Sequence, residues 1–144
     1  MPWVVDTCVL LDVLEDDPEF GLASALTLET HAAERLTLCP VTYAELAPSF
    51  EGDSSLQDEF LAGIGIDSRP EWTWEDTLRS HAAWSFFIQR KRARLLPKRP
   101  LADILIGAFA SRYQGLIARN PKDFEPVFSE LALRIPGKPD DDQP

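Results

Sequence analysis

Soft metal ligands are scarce in this chain, which has two cysteines and two histidines. Cys8 and Cys39 show neither CxxC nor zinc spacing, and both lie in apolar surroundings where a free thiol packs as a small hydrophobe. His31 and His81 are far apart in helical stretches with no cysteine ligand set beside them, which excludes a zinc site of the usual kind. Long hydrophobic runs are also missing. "WVV", "CVLL" and "ILIGAFA" fall far below the roughly 20 residues that cross a bilayer. No charged stretch precedes the first of them, so the expectation is a cytoplasmic protein with no membrane association. Positive charge is short too: 14 Lys and Arg stand against 24 Asp and Glu, a net charge of -10. That average argues against binding nucleic acid, whose affinity comes largely from phosphate neutralisation.

The average hides an asymmetry. Six of the 14 basic residues fall in "QRKRARLLPKR", namely Arg90, Lys91, Arg92, Arg94, Lys98 and Arg99. The acids spread elsewhere and gather at 51–59 and 140–142. A basic patch on an acidic body suits a polyanion, although cations at a helix C-terminus are favourable without one.

At 144 residues the chain fits one domain with one core, expected over 1–135. The residues 136–144, in "PGKPDDDQP", are too polar and proline-rich to pack and read as a disordered acidic tail. Periodicity and breakers predict strand 3–5, helix 7–15, helix 19–34, strand 36–39, helix 42–48 and a short helix near 55–62. An extended piece around 70–73 then leads to a long helix starting near Trp74 or Glu75 and ending before Pro97, followed by helix 102–112, strand 116–118 and a short helix from Pro121. Strands alternating with helices imply an α/β fold: a three-layer sandwich with a central, mainly parallel β-sheet flanked by helices.

Four polar residues interrupt apolar sequence where helices are expected to begin. Asp6 closes "WVV", Glu45 lies in "PVTYAEL", Asp103 in "RPLADILIGAFA" and Asn120 in "ARNPKDF". Each has a capping explanation. Thr42 and Glu45 have the spacing of a capping box; Asn120, Pro121 and Asp123 read as N-cap, N1 and N3; Asp6 is a possible N-cap, and Asp103 in a first turn interacts favourably with the helix dipole. Their combination suggests more. In a parallel sheet the ligand site lies beyond the carboxyl ends of the strands, where such helix starts converge. Three carboxylates gathered there repel one another and call for a cation. Oxygen-only ligands suit magnesium or manganese. For Asp103, the only ionisable group between Leu101 and Ala110, the alternative is an ion pair with Arg99 or Arg112.

The ordered set "DT", "VTYAEL", "LADILIGAFA" and "LIARNPKDF" resembles the PIN-domain ribonucleases, and among them the VapC toxins of toxin–antitoxin pairs, over roughly residues 1–128. The resemblance implies a metal-dependent endoribonuclease with Asp6, Glu45 and Asp103 as its acidic triad and one or two Mg2+ or Mn2+ ions. Asn120 falls where the family has a fourth acid, often replaced by asparagine, and Thr7 matches the hydroxyl residue supporting the first aspartate. Asp123 is a candidate to compensate for the missing acid. Two departures, Cys8 and Ala118, remove hydroxyls that the family often has there.

Implied partners are an RNA substrate, a cognate antitoxin encoded alongside, and a second copy of the chain. Arg90 to Arg99, with Arg112 and Arg119, are the candidate phosphate contacts; Trp72, Trp74 and Trp84 are candidates either for stacking on unpaired bases or for the core. A phosphatase of the haloacid-dehalogenase type also begins with a strand ending in aspartate, but needs a second acid where Cys8 stands. The other alternative is a PIN-like scaffold that binds RNA or a protein without cutting.

Overall fold

A computed structural model of the chain describes residues 1–94 and 100–138. Among them five short strands form one parallel sheet in the order β3-β2-β1-β4-β5. The strands are β1 (Trp3–Val5), β2 (Leu36–Thr37), β3 (Ile66–Asp67), β4 (Gly115–Ile117) and β5 (Leu133–Arg134). Helices α1 (Thr7–Leu14), α2 (Gly21–His31), α3 (Pro40–Glu45), α4 (Ser54–Gly63), α5 (Trp74–Arg94) and α6 (Leu101–Ala110) connect and cover them. The fold is thus the α/β sandwich expected. None of the helices among the described residues is long and apolar enough to cross a membrane.

The central strand β1 is apolar and buried on both faces, as a parallel strand covered by helices must be. It separates two cores. One joins Trp3, Val5, Val9, Leu10, Leu28, Leu36, Leu38 and Leu61; the other joins Val4, Ile106, Phe109, Leu116, Ala118 and Phe124. Alternation along β1 sends Val4 to one side and Trp3 and Val5 to the other. Helix α6 is buried over most of its circumference, and Gly107 is required there because a Cβ would strike the Phe128 ring.

Several boundaries differ from the sequence reading. The expected helix 19–34 is α2 plus a 3-10 turn at Ala32–Glu34, and strand 36–39 pairs only through Leu36–Thr37. Helix α3 starts at Pro40, two residues before the expected start, because proline's fixed φ suits the first helical position. Strands β3 and β5 were not expected; with two residues each, they carry no readable alternation. At the start of the expected tail, the Lys138 amide donates to Ile135 O at 3.0 Å; residues 139–144 of it lie outside the described residues.

The chain order reverses between β1 and β4. Sequence runs outward from β1 through β2 to β3, then returns to β4 on the other side of β1. The crevice beyond the carboxyl ends of β1 and β4 is where such a sheet admits ligands.

Candidate functional site

Asp6 stands in that crevice. Its amide donates to Ile117 O at 2.9 Å, so the β1–β4 pairing holds its backbone, and the residue is 7% exposed. Oδ1 accepts the Thr7 amide at 2.9 Å and Oδ2 accepts the Cys8 thiol at 3.3 Å. Burial pushes the Asp6 carboxyl up to about 6; the thiol and amide bonds oppose this, and the negative charges of Glu45 and Asp123 add to it. No cation among the described residues pairs with Asp6, Glu45 or Asp123. Of the acids the sequence reading grouped with Asp6, Glu45 is thus near enough for its charge to act on it, and Asp123 acts in the same way.

Glu45 reaches this place from an unexpected position. Because α3 begins at Pro40, Glu45 ends the helix instead of opening it, and the Thr42–Glu45 capping box does not form. Thr42 is buried and turns its hydroxyl to Thr7, with Oγ1 to Oγ1 at 3.0 Å. Thr7 Oγ1 donates to Glu45 Oε1 at 2.8 Å, and its single proton leaves Thr42 to donate in turn. The Thr7 hydroxyl therefore supports Glu45, while only its backbone amide supports Asp6.

Asp103 lies half-buried in the first turn of α6, and α6 packs against α3. Of the two arginines considered as its partner, Arg112 is engaged elsewhere and Arg99 lies outside the described residues. Asn120 precedes a 3-10 turn at Pro121–Asp123; it is exposed, and its side chain makes no cap bond. Asp123 is exposed but close enough for its charge to act on Asp6.

The expected phosphate contacts separate into groups. Arg119 donates to Asp12 Oδ1 at 3.0 Å and lies over the Phe20 ring, 4.3 Å from its centroid. Arg112 grips Asp76 with two bonds, Nε to Oδ1 at 3.1 Å and Nη2 to Oδ2 at 2.8 Å. Both guanidinium groups are thus held by buried aspartates, a role the sequence reading did not assign. Arg90 is exposed, contacts Pro126 O at 3.3 Å, and covers Phe86. That contact brings the basic end of α5 beside the segment following β4. Lys91, Arg92 and Arg94 continue α5, but their side chains, and Lys98 and Arg99 entirely, lie outside the described residues.

Of the tryptophans, Trp72 donates to Thr77 Oγ1 and stacks on Phe109. Trp84 stacks on Phe87. Trp74 is 69% exposed, but it starts α5, whose first turn is tied by Asp76 to Arg112 just past the C-terminal end of α6, away from the end where Asp103 stands. A cavity of about 410 Å³ lined by Tyr113, Gln114, Phe128 and Leu131 also lies away from Asp6, by the residues that lead into β4.

Two buried aspartates went unremarked in the sequence. Asp12 in "LLDVL" shows the same apolar flanks as Asp6 and is held by Arg119 and by Ser24 Oγ at 3.2 Å. Asp76 is fully buried; burial pushes its carboxyl upward, but the Arg112 and Thr73 bonds outweigh that and hold it below the ordinary carboxylate range. Asp12 shares the apolar flanks of Asp6 and Asp76 lies in polar sequence, so flanking residues alone do not tell a paired buried aspartate from an unpaired one.

For a divalent cation, the donor chemistry fits: Asp6 and Glu45 present oxygens, and no nitrogen or unblocked thiolate competes, since burial pushes Cys8 up to about 12. Among the described residues, however, no three His, Cys, Asp or Glu side chains are gathered to hold an ion. The arrangement suits an ion held by one or two carboxylates that keeps several waters.

No family model and no curated protein matches this sequence. Among solved structures, the chain is similar to one in the crystal structure of VapBC2 from Rickettsia felis bound to a DNA fragment from their promoter. The TM-score is 0.65 and the identity 18%, over 94% of this chain and 98% of that one. A likeness of this extent at such low identity establishes the fold, so the α/β sandwich seen here is one that a VapBC2 chain also adopts.

Proposed function

We propose that this chain is a metal-dependent endoribonuclease of the PIN type and the toxin of a toxin–antitoxin pair. The observation that carries the reading is Asp6: a buried carboxylate at the chain-reversal point of the sheet, facing Glu45 and Asp123 with no cation paired to it among the described residues. The shared fold with a VapBC2 chain supports it, and the two-component name of that complex supports a cognate antitoxin as partner. A second copy of the chain is a further proposed partner.

Asp6, Asp103 and Glu45 would hold one or two Mg2+ or Mn2+ ions. Such an ion, when bound, supplies a more acidic water as nucleophile and neutralises charge developing at the phosphorus oxygens. The chain's own residues do the rest. Thr7 orients Asp6 through its amide and Glu45 through its hydroxyl. Asn120, exposed three residues after β4 ends, would offer a neutral amide to the substrate, and the basic end of α5, starting with Arg90, would neutralise RNA phosphates. In-line displacement by water leaves a 5′-phosphate and a 3′-hydroxyl.

The test is cleavage of an end-labelled panel of structured RNAs, with Mn2+ or Mg2+ against EDTA, by wild type, Asp6→Asn and Asp103→Asn. Metal-dependent cuts bearing 5′-phosphates, lost in both variants, are expected; identical behaviour of all three proteins removes the triad. A second reading, a PIN-like scaffold that binds RNA or protein without cutting, is favoured by the lack of a three-donor group among the described residues. It predicts no carboxylate-dependent Mn2+ binding.

A further inference from the structure

We infer that Cys8 is a positioning residue for Asp6, its thiol holding the carboxylate in the orientation the crevice requires. The inference rests on the ribonuclease reading for its consequence, but its geometry stands without it. Asp6 Oδ1 is fixed by the Thr7 amide at 2.9 Å and Oδ2 by the Cys8 thiol at 3.3 Å, so both oxygens are bonded from one side by consecutive residues of the first turn of α1. One donor alone leaves a carboxylate free to turn about its χ2 torsion, which is broad for aspartate. Two donors fix its plane and leave the remaining lone pairs pointing away from α1.

The thiol suits this role in two ways. Cys8 is half-buried at the edge of the core that contains Val9 and Leu10, so its sulfur has little room to move. A second restraint is Arg119: its backbone hydrogen-bonds the sulfur, and its side chain is anchored to buried Asp12, which Ser24 also holds. The wall behind Asp6 is thus built from α1, α2 and the end of β4 together.

Outer groups that orient a ligand typically change metal affinity 10- to 100-fold when removed. The experiment compares wild type, Cys8→Ala and Cys8→Ser in three measurements: Mn2+ affinity by electron paramagnetic resonance, unfolding temperature, and the Asp6 carboxylate orientation in metal-free crystals. Expected are about tenfold weaker Mn2+ binding in Cys8→Ala, near wild-type binding in Cys8→Ser, whose hydroxyl restores the donor, and a turned carboxylate in the alanine variant only. An unchanged carboxylate and affinity in Cys8→Ala overturn the inference. So does a serine variant as weak as the alanine one, which would make the effect one of packing. If wild type binds no Mn2+, the ribonuclease reading fails, and carboxylate orientation alone decides the role of Cys8.

Discussion

The Thr7 hydroxyl donates to Glu45 Oε1 at 2.8 Å, joining the first residue of α1 to the last residue of α3. The same residue's amide holds Asp6 Oδ1 at 2.9 Å. Thr7 is therefore the bridge between two carboxylates that the chain places on separate helices. Replacing it with valine keeps the shape and the amide but removes the bridge. It also strips buried Thr42 of its hydroxyl partner, at a cost of about 1–3 kcal/mol. Urea unfolding of Thr7→Val measures that loss; stability equal to wild type would show the hydroxyl bonds to be incidental. Under the ribonuclease reading, activity falls further than stability does.

Asp6 makes the protein's stability depend on pH in a direction opposite to that of most carboxylates. Its folded value of about 6 lies above the ordinary 3.8, so the folded state favours the protonated form. The stabilisation from this group is complete below pH ~4 and is lost as pH rises through ~6. Asp6→Asn is therefore expected to be more stable than wild type at pH 7.5 in EDTA, by about 2–3 kcal/mol. The gain should fade toward pH 4. Thermal melts across pH 4–8 check this, and a gain that grows on acidification contradicts it.

Asp76 behaves in the opposite sense. Its folded value lies below the ordinary one, so its contribution is present at neutral pH and lost as pH falls through the depressed folded value. Arg112→Ala leaves a fully buried carboxylate without its two-pronged partner, with Arg79 Nη1 at 3.3 Å as the remaining cation. A loss of about 3 kcal/mol is expected. Arg112→Lys should recover only part of it, because an ammonium does not span both oxygens. Full recovery by lysine would make the interaction one of charge alone.

Arg119→Ala exposes the same principle at Asp12, where Ser24 remains as a partner and the arginine is partly exposed, so about 2 kcal/mol is expected. Pairing it with Asp12→Leu should return most of that stability, since the orphaned charge is then gone. Chemical denaturation of the single and double variants reads the coupling directly. Additive losses would show that the two side chains do not interact.

RNA binding, if the basic end of α5 serves it, should depend on salt. Charge reversal at Arg90, whose side chain lies beside Pro126, is expected to weaken binding more at 50 mM than at 200 mM salt and to lower the slope of log K against log salt by about 1. Filter binding with Asp6→Asn protein in EDTA measures it. An unchanged slope removes Arg90 from the interface.

Periodicity and composition were enough to establish the α/β class, the central apolar strand and the six helices that the described residues show, because each rests on local pattern. Asp6 was legible for the same reason: a carboxylate between apolar runs needs an explanation wherever it folds. The short edge strands were not legible, since two residues hold no period. Nor could local pattern say which acids are paired. Asp6, Asp12 and Asp76 are all buried aspartates, and only the packing of distant elements supplies Arg119 to one, Arg112 to another, and to Asp6 two more negative charges in place of a cation. Glu45 shows the same division: its capping spacing was local and misleading, and its bond to Thr7 exists because the parallel sheet brings the end of β1 and the helix after β2 side by side. Local sequence settles which elements form, because propensity and period act over a few residues. Long-range packing decides which charges meet, because Coulomb energy depends on distance and burial in the folded chain.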